Sequence, residues 1–444
     1  MSGGSSAEGL SSVPPGTRIR VTKPGGSVYE GWLLPVGSEF SRGVIFLKLP
    51  SGYNIGVHVL PGTRWETLPG PLWGRPSAED AAPATPGGDV PGGMGSVAGS
   101  VVVLTTGGTI ASRIDYVTGG VRPVLTREAL AEVYPGLYDG GPVMVREVFQ
   151  LLSEDMGPKE WVRLSEEVER AFREGCRGVV IAHGTDTLSY TAASLAFQFE
   201  RLPGPVVLVG AQRSIDRPSS DGVLNLLSAV RLAREADVGE VLVVMHETLD
   251  DDREAIHRAT RVRKMHSTRR DAFQTRNGPP LGYLDMQGIH WQGIPRPRDP
   301  SPALRLPGSS PDARLIWMYP GLTPETLDSF AGGSRGVIIA GTGLGHVSRP
   351  VLDWVRKATS QGLIVGMTTQ CLEGVVDPFV YARGRELEEA GVVYLEDMLP
   401  EVAFVKLAWC LAQSSDPREV RRLLQTNLRG EMEARRPAVR GAGP

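Results

Sequence analysis

The length, composition and charge of the chain already exclude several classes of protein. With 444 residues, 41% of them hydrophobic and 22% charged, it is long enough for about three globular domains with sizeable cores. The net charge of −3 argues against a chain coated with basic nucleic-acid-binding surface. No stretch approaches the ~18 apolar residues of a membrane span and no signal peptide is visible, so we expect a cytoplasmic protein without a membrane contact.

Cysteine and lysine are both used sparingly. The three cysteines, Cys176, Cys371 and Cys410, lie far apart without CxxC spacing, which argues against a disulfide framework or a zinc ribbon. We therefore expect all three to be buried structural thiols. Only six of the 47 basic residues are lysines, so a lysine that falls within a motif is of interest.

The N-terminal hundred residues predict one small domain between two segments of low complexity. Residues 1–15 are mostly small and polar, which favours disorder. Residues 16–68 hold four or five short β-like runs separated by glycine and proline, a pattern that predicts a small closed barrel of SH3-like type. Residues 69–98 are rich in proline and glycine and predict a linker.

From residue 99 onward, apolar strands alternate with helices. Runs such as VVVLT, GVVIA and PVVLVG are apolar throughout, as in a parallel sheet covered on both faces. We predict an α/β domain over 99–298, a linker over 299–312, a second α/β domain over 313–436 and a tail over 437–444. The predicted fold class is therefore α/β, with two domains of parallel sheet preceded by the small β-barrel.

Two strands end in glycine followed by threonine, in VVVLTTGGTIAS (101–112) and GVVIAHGTDT (178–187). A hydroxyl at such a strand end can act as a nucleophile, with neighbouring backbone amides to stabilise an oxyanion. The alternative is a tight turn with a helix cap. Two such loops in one sheet favour a site, because the carboxyl ends of parallel strands face one crevice.

The segment 246–273 is long, very polar and rich in charges of both signs. A solvated loop is the default interpretation, but the segment includes Lys264, and a lysine beside a carboxylate can serve in proton transfer. Its histidines lack metal-ligand spacing, so we expect no metal. Its arginines either face an acidic partner or belong to the solvated loop: Arg261, Arg263, Arg269 and Arg270. The motifs GxxxxGK[ST] and GxGxxG are absent, so a nucleotide site is not predicted. GxSxG is also absent, so the serine nucleophile elbow of the α/β-hydrolases is not supported.

Four motifs together resemble the bacterial-type L-asparaginase family over about residues 100–425: TGGTIAS, SEDM, AHGTDT and GAQRSIDRPSSDG. The resemblance implies two α/β domains and hydrolysis of a side-chain amide. It implies that Thr109 is the nucleophile. Thr185, Asp186 and Lys264 would form a second catalytic group, in which Lys264 helps to activate a hydroxyl or a water.

The same resemblance implies a substrate site. Ser153 and Asp186 would bind the α-carboxylate and α-amino groups of the substrate, and Gly108 and Gly184 would supply backbone contacts. Tyr116 lies in a mobile loop after the first threonine motif and would close over the site and help to orient the nucleophile.

Two positions depart from the pattern of secreted asparaginases. Leu344 occupies the place in GTGLG where those enzymes have an asparagine that reaches a neighbouring subunit's site. Their acidic substrate ligand is not clearly matched, because Glu373 lies in QCLEGVVD with an uncertain register. The choice between glutamine and asparagine therefore stays open.

The N-terminal runs VYEGWLLPV and IFLKLPSGYNIGVHV resemble the extra domain of the D-subunit family of archaeal-type glutamyl-tRNA(Gln) amidotransferases, as does HRATRVRKMHSTRRDAF at 257–273. Ordinary asparaginases lack the barrel. The implied role is to release ammonia from glutamine or asparagine within a heterotetramer that has a homodimer of this chain as its core. The E subunit would bind tRNA(Gln), ATP and Mg, and this chain would need no cofactor.

Two alternatives to this interpretation stay open at this stage. One is a stand-alone cytoplasmic asparaginase or glutaminase with an accessory barrel. The other is an inert amino-acid-binding scaffold or sensor, and the joint presence of Thr109, Thr185, Asp186 and Lys264 speaks against it.

Overall fold

The computed structural model divides the chain into two compact units. The N-terminal unit, Met1–Gly95, also takes in residues 111–126 and 213–220, and the second unit holds the remaining, α/β part of the chain. The residues that the structure describes are 13–14, 16–34, 44–49, 54–69, 97–107, 112–114, 121–123, 136–213 and 220–433.

The described residues form strands and helices that are numbered here in chain order. The strands are β1 (Arg18–Thr22), β2 (Val28–Leu33), β3 (Val44–Lys48), β4 (Asn54–His58), β5 (Arg64–Thr67), β6 (Val101–Thr105), β7 (Ser112–Ile114), β8 (Val121–Pro123), β9 (Val143–Glu147), β10 (Gly178–Ala182), β11 (Phe199–Arg201), β12 (Val206–Val209), β13 (Val241–His246), β14 (Glu254–Arg258), β15 (Val262–Lys264), β16 (Phe273–Thr275), β17 (Gly282–Asp285), β18 (Gly288–Trp291), β19 (Leu304–Arg305), β20 (Ala313–Trp317), β21 (Gly336–Gly341), β22 (Ile364–Thr369) and β23 (Val393–Tyr394). The α-helices are α1 (Pro158–Arg173), α2 (Leu188–Gln198), α3 (Gly222–Glu235), α4 (Pro324–Ala331), α5 (Arg349–Ser360), α6 (Ala382–Glu389), α7 (Pro400–Gln413) and α8 (Pro417–Gln425).

The N-terminal unit is built around a five-stranded antiparallel sheet in the order β4-β3-β2-β1-β5. Side chains alternate between the two faces of β1, so Ile19 and Val21 are fully buried. Arg20 lies on the other face and pairs with Glu30 and Glu66 on the two neighbouring strands. Such a sheet is consistent with a small barrel-like domain.

The second unit contains an eight-stranded sheet in the order β18-β17-β14-β13-β12-β10-β6-β9. The five strands from β13 to β9 are parallel, while β14, β17 and β18 are antiparallel. Strands β6, β10 and β13 are buried along their whole length, because helices cover the sheet. The predicted α/β fold is confirmed, with an antiparallel extension at one edge of this sheet.

A four-stranded parallel sheet, in the order β20-β21-β22-β23, forms the centre of the second α/β domain. Helices α2 and α7 join the two α/β domains, since Phe197 and Trp409 stack with ring centres 6.1 Å apart in a shared core. Lys406 and Glu431, both fully buried, form an ion pair of 2.6 Å that fastens the chain beyond α8.

The polar segment 246–273 is a solvated loop only in part, because residues 249–252 and 266–269 are exposed while most of the rest is buried or half-buried. Strand β14 is buried, because it lies inside the eight-stranded sheet. Arg261 is only 6% exposed and bonds to Asp397 of the second α/β domain at 2.7 Å. The neighbouring arginines also have carboxylate partners, in the pairs Arg263–Glu401, Arg269–Asp271 and Arg270–Asp251.

One of the three cysteines departs from expectation. Cys176 and Cys410 are buried, and burial raises the pKa of each thiol to about 12. Cys371 is exposed, so its prediction as a buried thiol was wrong. It follows the C-terminal end of β22, where the chain leaves the sheet for the surface.

Candidate active site

Three neighbouring parallel strands, β6, β10 and β12, end at one edge of the eight-stranded sheet. The turn after β6 begins with Thr106 and Gly107. Gly107 has a φ of +102°, and a Cβ atom there would lie 2.4 Å from the carbonyl oxygen of Leu151. Only glycine fits this backbone, so the chain passes tightly over the strand end.

The turn after β10 brings Thr185 and Asp186 against Lys264. The Lys264 ammonium lies 2.8 Å from Thr185 Oγ1 and 2.8 Å from Asp186 Oδ1. The lysine side chain is 13% exposed, whereas the Asp186 side chain is 69% exposed. The lysine is therefore held within the protein, while the carboxylate faces the space in front of the sheet.

Lys264 reaches this position because of the hairpin β15–β16. Its cross-strand neighbour is Phe273, which is almost fully buried and anchors the hairpin in the core. Lys264 and Phe273 are nine positions apart in the sequence, and the turn of the hairpin lies between these paired positions.

Ser153 lies beside the same turn, in a single 3-10 turn (Ser153–Asp155). A Cβ atom on Gly184 would come within 2.8 Å of Ser153 Cβ, so the Ser153 side chain packs directly against the Gly184 backbone. The Thr187 hydroxyl donates to the carbonyl oxygen of Ser153 and fixes this approach. Ser153 is 5% exposed, and its own hydroxyl donates to Glu154 at 3.3 Å.

A buried polar network behind the site is not evident from the sequence. Gly210, after β12, is so close to Thr185 that an added Cβ would lie 2.8 Å from the threonine methyl group. The Asn225 amide donates to the Gly210 carbonyl at 3.0 Å, and His246 bonds to Asn225 Oδ1 at 2.7 Å. The Asp221 carboxylate accepts from the backbone N–H of Gln212 at 3.0 Å. These hydrogen bonds hold Gly210 in place, and Gly210 packs against the methyl group of Thr185.

His183, between β10 and the glycine, is a second residue that sequence reasoning missed. It is 1% exposed, and burial lowers its pKa to about 4, so the ring is neutral. It bonds to the Gly184 carbonyl oxygen at 2.7 Å and to Thr191 Oγ1 at 3.0 Å. The only sequence signal was its place next to the threonine motif.

Among the remaining predicted positions that the structure describes, Leu344 and Glu373 have their contacts elsewhere. Gly108, Thr109 and Tyr116 lie outside the described residues. Leu344 is half-buried in the turn after β21, and its carbonyl accepts from the Asp377 N–H at 3.0 Å. The exposed carboxylate of Glu373 pairs with Arg276 at 2.5 Å.

Within the described part of the chain, His, Cys, Asp and Glu side chains do not gather in groups of three or more that suit a metal ion. Over the same residues, the helices are too short or too polar to cross a membrane.

The α/β part of the chain is similar to solved L-asparaginases. The thermostable L-asparaginase from Thermococcus kodakarensis superposes with a TM-score of 0.70 at 34% identity, over 76% of this chain and all of that one. L-asparaginase I from Vibrio cholerae gives a TM-score of 0.66 at 28% identity, over 75% of this chain and 99% of that one.

Three family models match the chain in succession: a GatD N-terminal domain over 13–66, an asparaginase N-terminal domain over 100–296 and a glutaminase/asparaginase C-terminal domain over 314–424. The D subunit of the glutamyl-tRNA(Gln) amidotransferase of Saccharolobus solfataricus is 44% identical over 417 residues, which are 93% of this chain and 91% of that protein. Its counterpart from Metallosphaera sedula is 44% identical over 415 residues, 91% of this chain and 90% of that one. The chain therefore belongs to the family of D subunits of glutamyl-tRNA(Gln) amidotransferases.

Proposed function

We propose that this chain is the amide-hydrolysing subunit of a tRNA-dependent amidotransferase. It releases ammonia from glutamine or asparagine, and the ammonia converts Glu-tRNA(Gln) to Gln-tRNA(Gln) in the complex. The observation that supports this most directly is the contact of Lys264 with Thr185 and Asp186 at the end of β10. An ammonium group bonded to a hydroxyl is suited to proton transfer, a step that hydrolysis requires and that the binding of an amino acid does not.

The proposed reaction proceeds through an ester. The Thr109 hydroxyl oxygen attacks the side-chain carbonyl carbon of the substrate, the C–N bond breaks, and the nitrogen leaves as ammonia after it takes up a proton. Water then hydrolyses the ester, which frees the acidic product and restores the hydroxyl. An amide is a poor electrophile, so the reaction needs a nucleophile, a proton carrier and stabilisation of the oxyanion.

Lys264 and Thr185 supply the proton carrier in this proposal. The lysine donates to Thr185 Oγ1, which leaves the threonine's own proton available to an acceptor in front of the sheet. As Thr109 attacks, Lys264 and Thr185 pass a proton to the departing nitrogen, and the proton that the Thr109 hydroxyl gives up replaces it on this pair. When water attacks the ester, a proton of the water returns through the pair to the Thr109 oxygen. Arginine could not replace the lysine, because a guanidinium does not give up its proton in proteins.

Asp186 and Ser153 supply the substrate contacts in this proposal. The largely exposed Asp186 carboxylate is suited to the substrate's α-ammonium group. Ser153 would bind the α-carboxylate through a hydroxyl that now donates to Glu154. Gly108 and Gly184 would contribute backbone contacts, and Tyr116 would close over the substrate.

The other components belong to the complex in this proposal. An E subunit binds tRNA(Gln) and uses ATP and Mg to activate the misattached glutamate, while two copies of this chain form the core of a cytoplasmic heterotetramer. No cofactor is proposed for this chain.

Single-turnover assays test the proposal. Ammonia release is measured with glutamine and with asparagine, for the isolated chain and for the complex with mischarged tRNA. We expect slow release by the chain alone and acceleration in the complex. Fast release that neither partner nor tRNA changes would identify a stand-alone amidohydrolase instead, and full activity of Thr109→Ala in the complex would exclude that nucleophile.

A further inference from the structure

Four polar groups connect helix α1 to the turn that bears Thr185. The Trp161 indole N–H of α1 donates to Thr191 Oγ1 of α2 at 3.1 Å. Thr191 Oγ1 lies 3.0 Å from Nε2 of His183, and Nδ1 of His183 lies 2.7 Å from the Gly184 carbonyl oxygen. The three side chains are at most 3% exposed, so water does not compete for these bonds.

The chemistry of the end groups fixes every proton in this chain of hydrogen bonds. An indole N–H can only donate and a carbonyl oxygen can only accept. The Gly184 carbonyl therefore requires the proton on Nδ1 of His183. Nε2 then has a free lone pair, which accepts from the Thr191 hydroxyl, and the same hydroxyl oxygen accepts from Trp161. One tautomer satisfies all the groups, and the low pKa of His183 keeps the ring in that neutral form.

The position of Gly184 links these hydrogen bonds to Thr185 and Asp186. The glycine is fixed on one side by the His183 ring and touches Ser153 on the other. The next two residues are Thr185 and Asp186, both within 2.8 Å of the Lys264 ammonium. A carbonyl released from the His183 ring can turn, and the hydroxyl and the carboxylate then turn with it.

We propose that His183 is a positioning residue for amide hydrolysis: through the Gly184 carbonyl it holds Thr185 and Asp186 in reach of Lys264 and the substrate. The inference rests on the proposed function of that cluster. His183 itself does not touch the substrate, and it exchanges no proton during the reaction.

Paired variants of the full chain, assayed in the complex, test the proposal. His183→Leu removes the donor to Gly184, and we expect kcat/KM for the amide substrate to fall about 100-fold, because a small misplacement of reacting groups has effects of this size. His183→Asn keeps an N–H at the place of Nδ1 and is expected to recover activity to within about fivefold of the original. Thr191→Val should lose about tenfold, and Thr191→Ser, which keeps the hydroxyl, almost nothing.

Nitrogen NMR of the unmodified chain supplies a readout that a space-filling role would not affect. With 15N-labelled histidine, we expect His183 to show a protonated Nδ1 and an unprotonated Nε2 from pH 5.5 to pH 8. A proton on Nε2, or titration of the ring near its ordinary pKa of about 6.5, overturns the proposal even if His183→Leu does not fold.

The outcomes separate this inference from the proposed function. If the unmodified complex does not hydrolyse glutamine or asparagine, the proposed function fails. If it does, and His183→Leu and Thr191→Val are as active as the original chain, the positioning role of His183 is wrong while the proposed function stands.

Discussion

Two strand ends contain the pair glycine–threonine, in AHGTDT at the end of β10 and in GTGLGH at the end of β21, but the two turns differ in structure. In the first, Thr185 and Asp186 meet Lys264 from a hairpin about 80 residues further along the chain. In the second, the Thr342 hydroxyl donates to the His346 carbonyl within the same turn. The polar side chains of the first turn therefore bond to a distant segment of the chain, whereas the threonine of the second turn bonds within its own turn.

The histidines of the two turns show the same contrast. Both ring nitrogens of His183 are bonded. Both ring nitrogens of His346 are shielded from water and have no hydrogen-bond partner within the described part of the chain, and its ring packs edge-on against Tyr381 at 5.3 Å. The difference shows that a strand followed by glycine and threonine is not by itself a site.

The surroundings of the glycines explain the difference. A Cβ on Gly345 would come within 3.0 Å of Met367 and Val376, so apolar side chains fill the space beneath the second turn. A Cβ on Gly184 would instead meet Ser153, a polar residue. What lies against the glycine decides whether the turn can take part in chemistry, and the following predictions test this.

The largest effect is expected for Lys264→Met. It removes the cation that distinguishes the first turn from the second, and amide hydrolysis by the complex should fall about 1,000-fold. Lys264→Arg should not restore it. Lys357→Met, at an exposed lysine on α5, is the matched control and should be as active as the original. If the Lys264→Met chain retained its activity, the lysine would not be what makes the first turn catalytic and the second not.

Thr185→Val keeps the shape of the side chain but removes the hydroxyl bonded to Lys264. We expect a loss of about 100-fold in kcat, measured by ammonia release. Thr185→Ser retains the hydroxyl and should be much less affected, while Thr342→Val in the second turn should leave kcat unchanged. Equal losses in the serine and valine variants would point to a packing role for the methyl group.

Acid should destabilise the chain through His183. Its pKa is about 4 in the folded chain and ordinarily about 6.5, so below pH 6.5 the unfolded chain binds the proton that the folded chain excludes. Stability therefore falls as the pH drops from 6.5 towards 4, by about 2 kcal/mol at pH 5. Urea unfolding at pH 7 and pH 5 measures this loss together with that from His257, whose pKa burial lowers to about 3. His183→Asn should remove the His183 part of the difference, and His346→Asn, at a half-buried position, should reduce it less. An unchanged difference in His183→Asn would mean that another group is responsible.

Gly184→Ala adds a methyl group where only 2.8 Å separates it from Ser153. The Ser153 side chain and the glycine must move apart, and we expect KM for the amide substrate to rise about tenfold with a smaller change in kcat. Steady-state kinetics with the purified complex measures the change in KM and the change in kcat separately. A lower kcat at constant KM would instead show that the substitution disturbs Thr185 rather than the contact with Ser153.

Gly343→Ala is the counterpart in the second turn and has the smallest expected effect. An added Cβ meets nothing within 4 Å, but the φ of +52° is unfavourable for alanine. We expect a loss of about 1 kcal/mol in the free energy of unfolding and unchanged amide hydrolysis. A clear loss of activity would show that the second turn also contributes to the reaction.

Sequence reasoning was sufficient for the α/β fold, because apolar strands buried on both faces differ visibly from amphipathic helices. It also selected Thr185, Asp186 and Lys264 through their motifs, and the structure brings these three together. It misjudged the buried parts of the segment 246–273, since charge density alone does not reveal that each arginine meets a carboxylate. Arg261 finds Asp397 136 residues away, and no local pattern indicates such a pair.

The sequence by itself determined the order of the domains, the family and the chemical groups available, because these depend on composition, periodicity and motifs that are local in the chain. Only the tertiary structure decided which of two similar turns acquires a lysine, and which histidine has both nitrogens satisfied. Those outcomes depend on contacts between distant segments: the hairpin that delivers Lys264 to Thr185, and the packing of α1 and α2 that supplies Trp161 and Thr191 to His183.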